Sequence, residues 1–502
     1  MDNSYTVPGL INLLKSIFGE ENVLTSFEHL YVYSHLGEFG VKERRQPQAI
    51  LRIKSSEESR FLDTLLKENS CQVIRNDDLE NSLFDPTKPF ILVDVQEPIG
   101  INDLLNRLDD LARGKEEHKT RLKKASSIHD WFSMTIQGKE GFREGDDRGF
   151  CVVQSYFDGI QTYSSKGRLL LARGLIKGEL ENSPILSDSI FSCTACGQCY
   201  DQYSSDVFEI NNVLLKTRNE IVERSGVPKR FQNVHDNIQE NGNPQGLPAE
   251  DRILWFEELA DQFPYSNNET LYWVGCTTAY RLPEIADATA SVMDKMGLDF
   301  GVLGGNEGCC GLILYLSGQW REAKENAFEV LNTLDDAETL VTNCAGCFYM
   351  FSRIYPSLGV EVPFNVLHTS QLLDQVLKEN NLKLRPFEGN YMWHDPCDLG
   401  RHCQVYDAPR NVLNSIPDLN LIEHPLTEEH TVCCGAGGGL WTYDEELTDY
   451  VSHQKIMETV PKGIDGIITG CPTCLLSMRN TARVDRPGLK TFDLAEVIDR
   501  CL

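Results

Sequence analysis

The 502-residue chain lacks any apolar run as long as the roughly 20 residues that a membrane-spanning helix requires. Its first residues, MDNSYTVPGLINLLK, lack the basic segment and long apolar core of a secretory signal, so we expect a cytoplasmic protein. Basic residues are scarce too, because 47 Lys and Arg stand against 75 Asp and Glu, a net charge of −28. We therefore expect no nucleic-acid partner and no direct adhesion to anionic lipid, while peripheral membrane docking through a partner stays open.

A dinucleotide-binding fingerprint is also missing. Glycines cluster in VLGGN at 302–306 and in GAGGG at 435–439. Neither cluster forms G-x-G-x-x-G followed about 20 residues later by an acidic residue. We therefore predict no NAD site.

Cysteine, by contrast, is abundant, with 17 residues in the chain. In a large protein without an export signal, a reducing cytosol favours metal ligation over disulfides. A first group, in SCTACGQCYDQY, has the C-x2-C-x2-C spacing that opens a ferredoxin-type [4Fe–4S] ligand run. This group consists of Cys193, Cys196 and Cys199.

The run lacks its fourth cysteine, because Tyr203 stands at that position. In two-cluster ferredoxins the fourth cysteine of each run binds the other cluster, so this loss damages a partner cluster. Upstream, the segment GFCVVQSYFDGIQTYSSKGRLLLARGLIKGEL contains Cys151 alone. We therefore predict one cubane [4Fe–4S] cluster held by Cys151, Cys193, Cys196 and Cys199, with a three-cysteine zinc site or a fortuitous grouping of cysteines as the alternatives.

Two further groups of cysteines repeat each other. Five cysteines occur twice in the order C…CC-G…C-x2-C, and equivalent positions lie 121 to 127 residues apart. Such near-constant spacing indicates an internal duplication. The first motif comprises Cys276, Cys309, Cys310, Cys344 and Cys347, and the second motif comprises Cys397, Cys433, Cys434, Cys471 and Cys474.

Short apolar runs precede the single cysteines and the C-x2-C pairs of both motifs: TLYWV, TLV, NYMW and GIIT. These runs predict buried parallel strands, and stretches such as YRLPEIADATASVMDKMG predict helices between them, so each motif should lie in an α/β domain. Ligands at the carboxyl ends of parallel strands converge at one sheet edge. Zinc needs only four ligands, so five cysteines per motif favour iron–sulfur over zinc or unligated structural thiols.

The doubled pattern resembles the cysteine-rich (CCG) domains of the heterodisulfide reductase catalytic subunit and of the glycolate oxidase iron–sulfur subunit. The resemblance covers about residues 145–502 and includes SSKGRLLLARGLIKGEL, NIQENGNPQGLP and HDPCDLGRH. It implies an α/β fold in which a small α/β N-terminal domain and a helical ferredoxin-like domain precede two duplicated CCG domains. In that order, the expected domains are residues 1–110, 111–255, 256–380 and 381–502.

In heterodisulfide reductase each five-cysteine motif holds a noncubane [4Fe–4S] cluster, and the two clusters face one active site. The resemblance therefore implies that all ten motif cysteines are ligands at a site where a disulfide, such as the coenzyme M–coenzyme B heterodisulfide, is reduced to two thiols. Electrons would come through the cubane from a redox partner subunit, either a flavoprotein or a ferredoxin-like donor. The alternatives are the electron-transfer iron–sulfur subunit of a flavin-dependent 2-hydroxyacid (glycolate/lactate) dehydrogenase, and a zinc-binding scaffold.

The N-terminal segment resembles a different family. The stretch FGEENVLTSFEHLYVYSHLGEFG is similar to the start of the FAD-binding domain of glycolate/lactate-type flavin oxidases. The glycine-rich loop that would bind the pyrophosphate is absent, so we predict no FAD in this chain. We interpret residues 1–110 as a flavin-oxidase remnant used for docking, with an α/β cap of other origin as the alternative.

Two histidines, His394 and His402, flank Cys397. Because the ordinary pKa of histidine lies near neutrality, His394 is a candidate proton donor to a departing thiolate. The alternative for both histidines is a hydrogen-bonded residue that tunes the cluster potential. The cysteines outside the four-cysteine set and the two motifs are interpreted as core thiols: Cys71, Cys403 and Cys501.

Overall fold

The computed structural model describes residues 7–35, 47–53, 58, 62, 72–75, 90–95, 151–199, 207–256, 268–334, 337–380, 382–424 and 426–502. The chain divides into two compact units, the first comprising Met1–Ile190 and Gln202–Ser204, the second Phe191–Asp201 and Ser205–Leu502. Within the described ranges, no helix is both long and apolar enough to cross a bilayer. The expected division into four domains stays a prediction, and its first boundary lies outside the described residues.

The first unit contains a small sheet with flanking helices. Its strands are β1 (Val23–Leu24), β2 (Ala49–Ile53), β3 (Gln72–Arg75) and β4 (Phe90–Val95). The helices are α1 (Val7–Phe18), α2 (Phe27–His35), α3 (Val152–Tyr156), α4 (Ser165–Lys177) and α5 (Pro184–Phe191), with 3-10 turns at Glu20–Asn22 and Gln161–Tyr163. The strand order is β1-β2-β4-β3, with β1 antiparallel to β2 and the other pairs parallel.

Apolar and polar contacts together hold this unit. The leucines of α1, Leu10 and Leu14, pack against buried residues of β2 and β4, and burying each leucine contributes about 1.5–3 kcal/mol. The buried hydroxyl of Tyr33 on α2 donates to the Asp94 carboxylate at 2.8 Å and accepts the backbone N–H of Gln161 at 3.3 Å. The segment that begins at residue 151 is therefore hydrogen-bonded to the N-terminal sheet and helices of the same unit.

The second unit begins with helical segments and continues as two α/β repeats. Its strands are β5 (Thr270–Trp273), β6 (Gly301–Val302), β7 (Thr339–Thr342), β8 (Asn365–His368), β9 (Gly389–His394), β10 (Leu419–Leu421), β11 (Gly466–Thr469) and β12 (Lys490–Asp493).

The α-helices of this unit separate or flank those strands. They are α6 (Val207–Ser225), α7 (Val234–Asn241), α8 (Cys276–Arg281), α9 (Pro283–Lys295), α10 (Leu312–Leu316), α11 (Trp320–Asn332), α12 (Ala345–Tyr349), α13 (Tyr355–Ser357), α14 (Thr369–Asn380), α15 (Asp407–Asn414), α16 (Leu440–Tyr443), α17 (Glu445–Gln454), α18 (Pro472–Asp485) and α19 (Leu494–Cys501). Shorter 3-10 segments occupy Lys229–Phe231, Ala249–Phe256, Gly304–Asn306 and Glu428–His430, and π-helical turns occupy Met350–Ile354 and Lys455–Thr459.

The two sheets have the same topology. Their orders are β6-β5-β7-β8 and β10-β9-β11-β12, and every neighbouring pair is parallel. Equivalent strands thus occupy equivalent positions, which confirms the predicted duplication and the predicted buried parallel strands. In both sheets the chain reverses its direction of winding between the two central strands, and such switch points are where open α/β sheets form crevices.

The glycine of each Cys-Cys-Gly triplet has a left-handed backbone. Its φ is +80° at Gly311 and +90° at Gly435. A Cβ at Gly435 would lie 2.6 Å from the Thr448 carbonyl oxygen, and one at Gly311 would lie 2.7 Å from Asn326 Nδ2. The triplet therefore needs glycine for both its conformation and its packing.

We expect Gly435→Ala to lower the free energy of unfolding by about 2–4 kcal/mol, because left-handed strain adds to overpacking against Thr448. Gly463 is the matched control, since its φ is +83° and a Cβ there would meet nothing within 4 Å. Gly463→Ala should cost only about 1–2 kcal/mol. Denaturant unfolding of both full-length variants, followed by circular dichroism, makes the comparison. Equal losses would show that the contact with Thr448 does not matter.

Candidate functional site

Cysteines follow the carboxyl ends of all four central strands of the two sheets. Cys276 and Cys397 lie three residues after β5 and β9, and Cys344 and Cys471 lie two residues after β7 and β11. Cys344 and Cys471 are also the N-cap residues of α12 and α18, with extended backbones. The duplicated strands thus bring the motif cysteines to equivalent edges of the two sheets.

Within each motif, the thiols lie side by side, and nine of the ten are buried while Cys276 is partly exposed. Contacts in the first motif run in the order Cys276, Cys309, Cys310, Cys347 and Cys344. Contacts in the second motif run in the order Cys397, Cys433, Cys434, Cys474 and Cys471. The Sγ atoms of Cys434 and Cys474 are 3.1 Å apart.

The two motifs meet at their C-x2-C cysteines. The thiols of Cys344 and Cys471 are hydrogen-bonded to each other, and this contact together with Cys474 holds the pKa of Cys471 well below its ordinary value. The ten thiols therefore form one continuous series across both repeats.

A histidine from the first repeat supports the loop of the second. His368 ends β8, and its Nε2 lies 2.8 Å from the carbonyl oxygen of Gly470, the residue before Cys471. The backbone N–H of Ser370 donates to His368 Nδ1 at 3.2 Å, so the proton of the neutral ring lies on Nε2 and is donated to Gly470. Burial lowers the pKa of His368 to about 4, which keeps the ring neutral.

The C-x2-C-x2-C loop adjoins the second motif. The thiol of Cys196 contacts Cys433. Arg401 Nε donates to the Cys196 carbonyl oxygen at 2.6 Å, and His402 Nε2 lies 2.9 Å from the carbonyl oxygen of Ala195. The residues that follow Cys397 in HDPCDLGRH therefore hold this loop, so His402 acts through hydrogen bonding to the loop backbone.

Cys151 lies in the first unit, whereas Cys193, Cys196 and Cys199 lie in the second. Arg168 Nη1 of the first unit is 3.8 Å from the Cys151 sulfur. The shared four-cysteine ligand set therefore stays a prediction. Among the cysteines outside the sets, Cys403 and Cys501 are buried, and Cys71 lies outside the described residues.

The donors present suit iron–sulfur clusters. None of the described cysteines forms a disulfide, and both motifs offer sulfur donors alone. The backbone N–H groups of Gly311 and Gly435 donate to the sulfurs of Cys309 and Cys433 at 3.4 and 3.3 Å. Such N–H···S bonds stabilise thiolate charge and raise the potential of a cluster that the thiolates hold. The same bond occurs in both repeats, so it belongs to the Cys-Cys-Gly fold itself.

The first motif carries a neutralised ion pair. Buried Arg252 donates from Nη1 to Glu307 Oε1 at 2.8 Å and from Nη2 to the carbonyl oxygen of Gly242 at 2.8 Å. Glu307 also accepts the backbone N–H groups of Val274 and Gly275, at 2.9 and 2.8 Å. The pair therefore fixes the backbone just before Cys276, and its charges cancel.

Three buried nitrogen-bearing side chains, those of Arg401, Lys455 and His394, border the second motif. Arg401 Nη2 and both ring nitrogens of His394 have no partner among the described residues. Lys455 is fully buried, and its Nζ lies 3.5 Å from Thr431 Oγ1. A ring nitrogen of His394 and the sulfurs of Cys434 and Cys474 lie within 4.8 Å of one another. Burial, and then the charge of Lys455, lowers the pKa of His394 to about 3, and the proposed proton donation by His394 stays a prediction.

The carboxyl group of Asp398 directly follows Cys397, but no sequence pattern predicts a role for it. It lies at the junction, by which we mean the place where Cys344 and Cys471 join the two motifs. Asp398 Oδ1 lies 3.8 Å from Cys397 Sγ and 3.9 Å from His402 Nε2. A Cβ at Gly346 would lie 3.5 Å from Asp398 Oδ2, so Asp398 also adjoins the first motif. Burial, and then the charge of Cys471, raises the pKa of Asp398 to about 7. Its side chain is 23% exposed, so solvent reaches the junction here.

Arg218 of α6 connects the three cysteine-bearing segments of the second unit. Its Nη1 donates to the carbonyl oxygens of Leu316 at 2.7 Å and Gly438 at 2.6 Å. Its Nη2 donates to those of Cys193 at 2.5 Å and Phe191 at 3.3 Å. Both repeats and the C-x2-C-x2-C loop therefore share one buried guanidinium, for which no sequence pattern gave a signal.

Replacing this guanidinium should loosen the whole second unit. We expect Arg218→Met to lower the free energy of unfolding by at least about 3 kcal/mol, because buried carbonyl groups lose charged donors. Arg224→Met on the same helix removes an exposed ion pair with Glu220 and should change the free energy of unfolding by less than about 0.5 kcal/mol. Denaturant unfolding of the two variants is the measurement, and a loss for Arg218→Met no larger than that for Arg224→Met would contradict this role.

Comparison with known proteins agrees with this geometry. The cysteine-rich domain family, CCG, matches residues 270–352 and 391–479, one segment in each repeat. A relative from Methanosarcina mazei, which is one component of its dihydromethanophenazine:CoB–CoM heterodisulfide reductase, is 32% identical over 362 residues. The match covers 68% of this chain and 84% of that relative.

Two longer relatives match less of their own length. The probable iron-sulfur-binding oxidoreductase FadF of Bacillus subtilis is 28% identical, and the EtfAB:quinone oxidoreductase of Syntrophomonas wolfei is 29% identical. Each match covers 62% of this chain but 46% of the relative. The protein therefore belongs to the family of CCG-domain iron–sulfur oxidoreductases that includes the Methanosarcina heterodisulfide reductase component.

Proposed function

We propose that this chain is the component of an oxidoreductase complex that reduces a disulfide. The reaction is RS–SR′ + 2 e⁻ + 2 H⁺ → RSH + R′SH, in which the sulfur–sulfur bond breaks and each sulfur gains one electron and one proton. The observation that carries this proposal is the contact between Cys344 and Cys471, which joins the two motifs. A disulfide contains two sulfur atoms, and each of the two adjoining motifs would receive one of them.

The five cysteines of each motif would hold one noncubane [4Fe–4S] cluster, and Cys151, Cys193, Cys196 and Cys199 would hold one cubane. When bound, the paired clusters supply two one-electron carriers at one place, which suits a two-electron reduction. The contact between Cys196 and Cys433 supports electron entry from the C-x2-C-x2-C loop to the second motif.

The polar residues of the junction supply orientation and access. His368 holds the loop of Cys471 through Gly470, so β8 of the first repeat fixes a ligand of the second. Arg401 and His402 hold the C-x2-C-x2-C loop against the second motif through backbone carbonyls. Asp398 is partly exposed beside Cys397, and thus lies where solvent protons can approach the junction.

The name of the Methanosarcina relative suggests the substrate class. That protein is named as part of a CoB–CoM heterodisulfide reductase, and we propose a heterodisulfide of this kind as the substrate. A separate redox protein of the complex, a flavoprotein or a ferredoxin-like donor, would supply the electrons.

A second candidate function is electron transfer without disulfide chemistry. The matches to FadF and to the EtfAB:quinone oxidoreductase favour it, because the second relative's name describes transfer to a quinone. In this case the chain would accept electrons from a flavin-dependent dehydrogenase and pass them to a carrier.

The test uses the anaerobically purified full chain, with about 12 irons expected if three four-iron clusters are present. With reduced methyl viologen as donor, the chain should convert the coenzyme M–coenzyme B heterodisulfide to thiols. Cys344→Ser and Cys471→Ser should each lower the rate at least about 100-fold, since each removes a direct ligand. Cys501→Ser is the control, because Cys501 is a buried thiol of α19 outside both motifs.

Two results would reject disulfide reduction. In the first, the chain carries iron and passes viologen electrons to a quinone analogue but releases no thiol, which is the outcome expected for electron transfer alone. In the second, purified protein contains zinc without acid-labile sulfide, which is the outcome expected for a scaffold.

A further inference from the structure

The two motifs share a backbone geometry but differ in the charges around them. At the first motif, Arg252 Nη1 donates to Glu307 Oε1 at 2.8 Å. Both carboxylate oxygens of Glu307 also accept backbone N–H groups. A buried ion pair of this kind adds no net charge to its surroundings.

Neither of the two cations of the second motif, Arg401 and Lys455, forms an ion pair with a carboxylate within the described residues. Arg401 is 2% exposed, and its hydrogen bonds go to backbone carbonyl oxygens, those of Cys196, Thr431 and Glu429, at 2.6, 2.7 and 3.2 Å. The nearby carboxylate of Asp395 is occupied by a different cation, because Arg410 donates to both of its oxygens at 2.8 and 2.9 Å.

Lys455 is the second cation. Its side chain is fully buried, and its ammonium group has one long hydrogen bond, 3.5 Å to Thr431 Oγ1, among the described residues. Lys455 begins the π-helical turn Lys455–Thr459, and π-helical turns occur frequently at functional sites. The charge of Asp395 acts on this ammonium most strongly, followed by that of Cys434, so the ammonium lies close to the second motif.

Buried ammonium and guanidinium groups with unused donors are costly unless a negative partner is present. The unused Nη2 of Arg401 and the nearly unbonded Nζ of Lys455 lie on the second motif, together with the unpartnered ring of His394. A cluster bound by thiolates carries negative charge, which supplies the partner that these groups lack.

We propose that Arg401, Lys455 and His394 make the iron–sulfur cluster of the second motif the more easily reduced of the pair, so that the first electron resides there. Positive charge and hydrogen bonds near cluster sulfurs stabilise the reduced, more negative state. At the first motif, the buried cation Arg252 is paired with Glu307 and therefore supplies less of this stabilisation. Lys455 and Arg401 thus act on the cluster through their positive charge, without contacting the substrate. The inference rests on the proposed pair of clusters.

The proposed order agrees with the route of entry. Cys196 of the C-x2-C-x2-C loop contacts Cys433, and Arg401 bonds the Cys196 carbonyl. The motif that contacts this loop is therefore also the one whose buried cations, Arg401 and Lys455, have hydrogen-bonding groups without a carboxylate partner among the described residues. Each reduction step moves one electron from the donor to the chain, and no bond forms or breaks.

The experiment is a redox titration of the anaerobically purified full chain, with reduced methyl viologen and dithionite as reductants, followed by electron paramagnetic resonance. Cys310→Ser and Cys434→Ser assign the signals of the first and second motifs by selective loss. In the unmodified chain, the signal lost in Cys434→Ser should have the higher midpoint potential.

Variants of Lys455 then test the cause. Lys455→Met should lower the midpoint potential of the second-motif signal and leave the first-motif signal in place, whereas Lys455→Arg, which keeps the charge, should restore it. Lys462→Met is the matched control, because Lys462 is exposed and water screens its charge. It should shift neither signal.

The proposal is overturned if the first-motif signal has the higher potential in the unmodified chain, or if Lys455→Met shifts both signals equally or neither. The unmodified chain, with its signals assigned by Cys310→Ser and Cys434→Ser, decides the first point even if Lys455→Met fails to fold. The titration contains no disulfide, so failure of the proposed function is distinguished: a chain with the predicted order that releases no thiol retains this inference and loses only that function.

Discussion

The contact between Cys344 and Cys471 is the point on which the arrangement of the second unit depends. Each thiol follows a central strand of its own sheet and caps the next helix, so its position is set by the whole repeat. The sheets can share a site only if these two strand ends adjoin. His368 of the first repeat reinforces the contact by bonding Gly470 of the second, and Arg218 ties the surrounding loops. The contacts that pack the two repeats together are therefore also the contacts that form the site.

Duplication gives the two halves of the site the same backbone arrangement. Side chains outside the motifs make the surroundings of the two halves different. Strand order, parallel pairing, the left-handed glycine and the N–H···S bond are the same in both repeats. The buried charges differ, because the first repeat pairs Arg252 with Glu307 whereas the second leaves Lys455 nearly unbonded. We propose that these charges would give two similar clusters, one in each repeat, different potentials.

The sequence allowed much of this to be predicted, because ligand type and spacing are local properties. The repeat spacing predicted the duplication, and the apolar runs TLYWV, TLV, NYMW and GIIT predicted the central strands that the structure contains. The family membership followed from the same doubled pattern.

Contacts between residues distant in the chain could not be predicted in this way. The Cys344–Cys471 contact depends on how two sheets pack, and Arg218 reaches carbonyl groups from three separate segments. Lys455 lies in a helical stretch that contains no recognisable motif, and only the structure shows that its side chain is buried. Asp398 and Arg401 belong to the HDPCDLGRH segment, but the sequence assigned possible roles only to its cysteine and histidines. The ligand set that includes Cys151 and the role of residues 1–110 stay predictions.

The most direct test of a shared site is anomalous diffraction at the iron edge from anaerobically grown crystals of the full chain. Our account predicts two groups of iron atoms on opposite sides of the Cys344–Cys471 contact, each bound by the five cysteines of one motif. Iron groups in separate cavities with protein packed between them, or single zinc ions in place of iron, would contradict it.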